Sequence, residues 1–186
     1  MQNHISNICR SSSYALHMIG KVRKYLDQAT TEKLVHAFVM SRLDNCNSLL
    51  YGLPISLLSK LQSIQNSAAR VVSRTRLHDH VSPILHELHW LPIEKRIIFK
   101  LLIMAYKCNE GVAPQYLLDI VKSYQPARNL RSSSINLLTP YSAITKGYGQ
   151  RAFQYAIPKL WNSLPNQLRE CQSFEQFKTK LKTYLF

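Results

Sequence analysis

Each of the two tryptophans of this 186-residue chain is followed closely by a Leu-Pro pair, in the phrases WLP (90–92) and WNSLP (161–165). Proline has no amide hydrogen and disfavours the α conformation in the residue before it, so a Leu-Pro step marks the start of a new helix. A tryptophan side chain buries a large apolar area. We therefore expect Trp90 and Trp161, with Pro92 and Pro165, to have structural roles at the joints between helices.

Apolar residues recur at spacings of three and four along most of the chain, a pattern typical of amphipathic helices. Between residues 123 and 150 the pattern changes, and two short β-favouring stretches, 135–138 and 141–145, indicate a loop or a small hairpin. The sequence thus predicts a mainly α fold, a helical bundle-like array with a small irregular or β-hairpin segment in the C-terminal third. The predicted helices form a hairpin over 5–50 and then cover 57–72, 82–88, 92–111, 114–121 and 174–185.

The formal net charge of +14 is distributed unevenly along the chain. Residues 1–76 carry ten Lys/Arg and three Asp/Glu, residues 77–125 carry five of each, and residues 126–186 carry nine and two. We therefore divide the chain into a basic helical segment, a neutral helical core segment, and a basic segment containing the loop or hairpin and the last helix.

A positive surplus of this size attracts polyanions, because each phosphate that Lys or Arg neutralises releases condensed counterions. RNA or DNA is the expected partner, and a basic surface without any partner is the alternative. The candidate contacts are basic residues on the third helix, in the loop region and on the last helix: Arg70, Arg74, Arg76, Arg128, Arg131, Lys146, Arg151, Lys178 and Lys182.

Catalytic and metal-binding patterns are weak. Phosphoryl transfer on nucleic acids usually needs clustered carboxylates that hold divalent ions, yet no two aspartates are adjacent in the sequence. The histidines between 78 and 89 lack an HExxH spacing and a nearby cysteine, so packed or exposed histidines are a better interpretation than metal ligands. We expect no catalytic residue, no metal and no cofactor in this chain.

The four cysteines, Cys9, Cys46, Cys108 and Cys171, are too widely spaced for a zinc site and predict free thiols in a reducing compartment. The start of the chain does not resemble a secretory signal, and the longest apolar stretch, 97–106, is too short to span a membrane. We expect no membrane association, and the sequence leaves open whether the chain is nuclear or cytoplasmic.

Several phrases together resemble the region downstream of the palm in reverse transcriptases of LINE-type, jockey-like non-LTR retrotransposons. The resemblance covers nearly the whole chain in order. Its phrases are SRLDNCNSLLYGLP (41–54), LQSIQNSAAR (61–70), LHWLP (88–92) with 96–100, APQYL (113–117), LRSS (130–133), GQRAF (149–153), PKLWNSLP (158–165) and the ending 177–186.

The resemblance implies a parent RNA-directed DNA polymerase that copies element RNA at a nicked chromosomal target. Its catalytic aspartate pair would lie in a palm upstream, which this sequence does not contain, so no catalytic role transfers to any residue here. The chain is then expected to be a noncatalytic tail that binds template RNA or target DNA and once adjoined the palm. An active reverse transcriptase, and an inert remnant or protein-interaction helical domain, are the alternatives.

Overall fold

The computed structural model describes residues 1–125, 136–145 and 147–186. In these residues the fold is mainly α, as the sequence predicts. The chain divides into two compact units: unit 1 comprises residues 1–47 and 53–96, and unit 2 comprises residues 48–52 and 97–186. The division into three segments by charge stays a prediction. No helix in the described ranges is long and apolar enough to cross a membrane.

In unit 1, the two arms of the predicted helical hairpin are present, and the first arm packs mainly along the helix after the hairpin. The buried apolar positions of this pair include Ile5, Leu16 and Ile19 on one helix and Leu61 and Ala68 on the other. The elements are α1 (Gln2–Val22), a 3-10 turn (Arg23–Tyr25), α2 (Gln28–Val35), a π-helical turn (His36–Met40), α3 (Ser41–Asp44), α4 (Ile55–Ser73), α5 (Ser82–Glu87) and the start of α6 (Ile93–Asn109).

Trp90 lies at the joint between α5 and α6 and is only 3% exposed. The Trp90 amide donates to the Leu85 carbonyl (2.8 Å), and the His89 amide donates to the His86 carbonyl (3.0 Å). This pair of bonds is a Schellman motif, which satisfies carbonyls at the end of a helix and requires a left-handed residue. His89 is that residue, with φ of 54°. Trp90 is thus buried at the end of α5, directly before the Leu-Pro step.

Two glutamines of α4, Gln62 and Gln65, hold the Leu-Pro joint; we call this pair the glutamine clasp. Gln65 Nε2 donates to the Leu91 carbonyl (2.9 Å), and the Ile93 amide donates to Gln62 Oε1 (2.9 Å). The Ile93 amide lies in the first turn of α6, where no intrahelical carbonyl is available to it. The glutamine clasp therefore satisfies backbone groups on both sides of Pro92.

Two further long-range contacts fix the same region. Arg96 forms a two-point ion pair with Asp44, in which Nε donates to Oδ1 (2.9 Å), and Asn47 donates to the same carboxylate. The π-helical turn places the His36 ring edge-on to the Trp90 indole, with 5.3 Å between ring centroids. Side chains more than 40 residues apart in sequence thus meet around the start of α6.

The left-handed conformation of His89 allows a test of this joint. Replacing His89 with glycine should raise the free energy of unfolding by about 0.5–1 kcal/mol, because a residue with a Cβ is strained at positive φ and glycine is not. Urea denaturation followed by circular dichroism measures the effect. His80→Gly, at another exposed histidine without positive φ, is the matched control and should be neutral or slightly destabilising. Equal effects of the two substitutions would contradict the assignment.

Unit 2 contains the remaining elements, among them a helix that the sequence pattern did not predict, α8 (Phe153–Asn162). Pro158 lies inside this helix, where its ring would ordinarily break the hydrogen-bond ladder. Burial of Ala156, Ile157 and Trp161 outweighs that cost. The elements are a 3-10 turn (Asn47–Leu50), the continuation of α6, α7 (Gln115–Ile120), a 3-10 turn (Gly149–Arg151), α8 (Phe153–Asn162), α9 (Asn166–Arg169) and α10 (Phe174–Leu185).

The hairpin alternative for the loop region is wrong within the described residues. Residues 136–145 form no strand; the only β contact described there is a single antiparallel bridge between Ser123 and Leu138. The Asn162 side chain takes the place of a partner strand, since it accepts from the Leu138 amide and donates to the Leu138 carbonyl, both at 2.9 Å. Residue 135, the start of the first β-favouring stretch, lies outside the described residues.

Trp161 is the centre of the unit 2 core and is completely buried. Its Nε1 donates to the Asn136 carbonyl (2.8 Å), and its ring lies 5.8 Å from that of Phe177. Phe177 in turn stacks on Tyr106 at 4.5 Å, and the Tyr106 hydroxyl donates to the Cys171 carbonyl (3.1 Å). Trp161 lies near the end of α8, and Pro165 directly precedes α9.

Candidate nucleic-acid interface

Six of the nine candidate basic residues lie in the described part of the chain, and Arg128, Arg131 and Lys146 lie outside it. The six are divided between the two units, so each unit carries its own candidates. Unit 1 contains Arg70, Arg74 and Arg76, and unit 2 contains Arg151, Lys178 and Lys182.

Arg74 has a structural role at the end of α4. Its guanidinium donates to the carbonyls of Arg23 and Leu26, both at 3.1 Å. Arg23 donates in return to the carbonyls of Val71 (2.8 Å) and Val72 (2.9 Å). The two arginines thus cap each other's helix ends, where carbonyl groups lack intrahelical partners and the helix dipole favours positive charge. Partial burial, and secondarily the Arg74 charge, lowers the pKa of Arg23.

Arg70 and Arg76 flank a turn that Asp79 closes. The Arg76 amide donates to the Asp79 carboxylate (2.9 Å), and the Arg70 guanidinium donates to the Asp79 carbonyl (3.2 Å). Arg70 is only partly exposed, whereas the Arg76 side chain is exposed. Of the three unit 1 candidates, Arg76 is therefore the most available to a phosphate.

A groove of about 440 Å³ runs along α4 beside the start of α6 in unit 1. Arg70 and Glu94 are its charged lining residues, so their charges offset one another. Its remaining lining side chains are apolar or neutral and polar, and they offer a nucleic-acid backbone no net attraction. The groove is a poor candidate for phosphate binding. Those remaining residues are Ile55, Leu58, Ser59, Gln62, Ser63, Asn66, Pro92 and Ile93.

Arg151 holds a turn in unit 2. Its Nε donates to the Tyr51 carbonyl (3.2 Å), and its guanidinium also reaches the Leu49 carbonyl (3.4 Å). The Arg151 side chain lies against Gly52, where an added Cβ would meet Arg151 Cγ at 2.7 Å. Gly52 also has φ of 70°, which glycine adopts without strain. Arg151 therefore supports the fold, and only part of its side chain is exposed.

Lys178 and Lys182 lie one turn apart on α10 and are both exposed. Lys178 pairs with Glu175 at 3.6 Å, an exposed contact of the kind that contributes little to stability. Positions i and i+4 share a helix face, so the two lysines can contact one backbone together. Lys180 projects from a different side of the helix. Of the unit 2 candidates that the structure describes, Lys178 and Lys182 are the best placed.

The sequence analysis missed a basic and aromatic face on α1. Arg10, Tyr14, His17 and Lys21 recur at i, i+4, i+7 and i+11, and all four are exposed. We call these four residues the α1 stripe. Their helical spacing is visible in the sequence, but the apolar pattern of the same helix indicates only its buried side.

Metal-binding and thiol groups do not form a site in the described ranges. No three His, Cys, Asp or Glu side chains there lie close enough to hold a metal ion. The four cysteines are free thiols, which confirms the prediction from their spacing. Burial raises the pKa of the Cys108 thiol, which keeps it protonated and unreactive near neutral pH.

Comparison with known proteins found no matching family model, no matching curated protein and no matching solved structure. The relationship to retrotransposon polymerases is therefore a proposal that depends on the sequence phrases.

Proposed function

We propose that this chain is a noncatalytic carboxyl-terminal segment of a non-LTR retrotransposon reverse transcriptase, and that it binds template RNA or target DNA. The observation that carries the binding proposal is uncompensated positive charge. The chain has 24 Lys and Arg but only 10 Asp and Glu, which leaves a formal net charge of +14. A surface of this kind attracts a polyanion by counterion release.

The family proposal is supported by the long-range contacts of residues that lie in the resembling phrases. Asp44, Gln65, Trp90, Arg151 and Trp161 all fall inside these phrases and make contacts with residues distant in sequence. In a region that positions nucleic acid and performs no chemistry, we expect the shared phrases to contain residues that stabilise the fold. The chain also has no adjacent aspartates, so we assign catalysis to no residue.

Binding should be measured by fluorescence anisotropy with labelled RNA, duplex DNA and single-stranded DNA at several salt concentrations. The logarithm of affinity should fall linearly with the logarithm of salt concentration, with a slope of about −0.9 for each duplex phosphate neutralised and about −0.7 for single strands. Absence of binding, or binding that salt leaves unchanged, would contradict the proposal.

Charge reversal tests the exposed candidates. The triple variant Arg76→Glu/Lys178→Glu/Lys182→Glu should weaken binding at least roughly tenfold and make the salt slope shallower, because each side chain is exposed and not needed by the fold. Arg74 and Arg151 are unsuitable, since their substitution would disturb the helix ends and turn that they hold.

The matched control must change the net charge equally. Lys33→Glu/Lys159→Glu/Lys180→Glu reverses three other exposed lysines, one in unit 1 and two in unit 2. A smaller loss of affinity in the control than in the first variant supports the candidate contacts. Equal losses would show that only overall charge matters and would contradict the assignment of these residues.

The protein-interaction alternative is favoured by one observation, apolar side chains exposed on unit 1. Met18, Val22 and Phe38 are each 44–50% exposed. Scattered apolar residues of this kind are common on soluble surfaces and carry little weight singly. If the chain bound no nucleic acid, these residues would be the first to test for protein contacts.

A further inference from the structure

The outward side of α1 lies opposite its buried side. With about 3.6 residues per turn, the buried Ile5, Leu16 and Ile19 occupy one side of the helix, and the α1 stripe occupies the opposite side. The stripe has a cation at each end, Arg10 and Lys21, and two rings between them, Tyr14 and His17. Its cations Arg10 and Lys21 are separated by about 16 Å along the axis, with Tyr14 between them.

Two tyrosines, one on the stripe and one in the turn after α1, are largely exposed. The Tyr14 residue is 68% exposed, and Tyr25 in the turn after α1 is 78% exposed. The Lys24 ammonium lies 4.8 Å from the centre of the Tyr25 ring, so a cation and an aromatic face occur together there. Neither ring stabilises unit 1 by burial to any large extent, which leaves both available for a ligand.

The stretch of sequence that contains these rings carries charge of one sign. Residues 1–26 contain no Asp or Glu, whereas Arg10, Lys21 and Lys24 are exposed cations in that stretch. The next acidic residue, Asp27, accepts a hydrogen bond from the Thr30 amide at the start of α2 (3.0 Å). A nucleic-acid strand with accessible base faces complements these residues, because its phosphates can contact the cations and its bases can stack on the exposed rings.

We propose that the α1 stripe, together with Lys24 and Tyr25, binds single-stranded nucleic acid. Arg10, Lys21 and Lys24 contact phosphates, and Tyr14 and Tyr25 stack on bases. Single strands expose their base faces, whereas a duplex hides them inside its stack, so ring stacking favours the single strand. This inference rests on the proposed function and adds strand preference and a second surface to it.

A lipid surface is a weaker match to the same face. An interfacial helix buries a broad apolar side in the membrane, but the apolar side of α1 is already packed on α4. The side that remains carries two cations, a tyrosine and a histidine, and its exposed aliphatic or thioether neighbours on α1 are Met18 and Val22. We therefore commit to a nucleic-acid occupant and treat vesicle binding as an outcome of the test.

The test uses the full chain and about 15-nucleotide labelled oligonucleotides, oligo-dT and oligo-U as single strands and a mixed-sequence DNA duplex of equal length. Tyr14→Ala/Tyr25→Ala should weaken single-strand binding about tenfold or more and change duplex binding less than about twofold, since stacking is lost but charge is unchanged. Tyr14→Phe/Tyr25→Phe keeps both rings and should retain single-strand affinity. Comparison of oligo-dT with oligo-U distinguishes DNA from RNA as the source of the strand.

The matched control is Tyr116→Ala/Tyr184→Ala, which removes two exposed tyrosines of unit 2 and should leave single-strand binding unchanged. All variants should keep the circular dichroism spectrum and melting temperature of the parent, because every substituted ring is exposed. Vesicles containing anionic lipid are measured in parallel with the same variants.

The outcomes separate the two proposals. If no nucleic acid binds, the proposed function fails and this inference fails with it. If binding is salt-dependent but the Tyr14→Ala/Tyr25→Ala variant retains single-strand affinity, this inference alone is overturned. Vesicle binding that depends on the two rings, with unchanged oligonucleotide binding, would also overturn it. Selective loss of single-strand affinity, restored by phenylalanine, supports it.

Discussion

Replacing Trp161 with alanine is expected to lower the free energy of unfolding by about 3–5 kcal/mol, the largest stability effect that we predict. The substitution removes a completely buried indole from beside Phe177 and leaves the Asn136 carbonyl without its donor at 2.8 Å. A cavity and an unsatisfied carbonyl both oppose folding. Urea denaturation followed by far-ultraviolet circular dichroism measures the loss.

Two variants separate the contributions at Trp161. Trp161→Phe keeps an aromatic ring and removes only the indole donor and part of the volume, so its cost should be clearly smaller than that of alanine. Tyr184→Ala removes an exposed ring from α10 and should change stability by less than about 0.5 kcal/mol. A Trp161→Ala protein as stable as Tyr184→Ala would show that the indole is not the core of unit 2.

The local elements of the fold could be predicted from the sequence because their signals are local. The last helix illustrates this, since α10 begins at Phe174, where the predicted helix 174–185 begins, and the Ser173 hydroxyl caps it by accepting from the Gln176 amide. The helix α8 escaped prediction because Pro158 is a strong local signal against a helix, and only the burial of its neighbours overrides it. The hairpin alternative failed because the Asn162 amide satisfies the Leu138 backbone in place of a second strand.

The sequence could not predict which candidate basic residues are engaged within the fold and which are exposed. Charge along the chain indicates a polyanion partner, and exposed Lys178 and Lys182 fit that expectation. Arg74 and Arg151 look equivalent to them in the sequence, yet both are engaged by carbonyls that lie about 50 and 100 residues away. Periodic patterns in a sequence do not indicate contacts at such separations. The sequence alone therefore cannot distinguish a basic residue that caps a helix from one whose side chain is available to a ligand.

The glutamine clasp provides the second large prediction, because Gln65 is completely buried although its side chain is polar. Gln65→Leu keeps most of the volume but leaves the Leu91 carbonyl without a donor and Gln62 without one of its acceptors. We expect a loss of about 1–3 kcal/mol, the cost of an unsatisfied buried polar group.

Gln28→Leu, at an exposed glutamine in the same unit, is the matched control and should be close to neutral. A double-mutant cycle with Gln62→Leu tests whether the two glutamines act together. Since they share a hydrogen bond at 3.0 Å and hold the two sides of one proline, the combined loss should be smaller than the sum of the single losses. Additive losses would show that each glutamine supports the joint independently. A Gln65→Leu protein as stable as the parent would show that apolar packing alone holds the joint at Pro92.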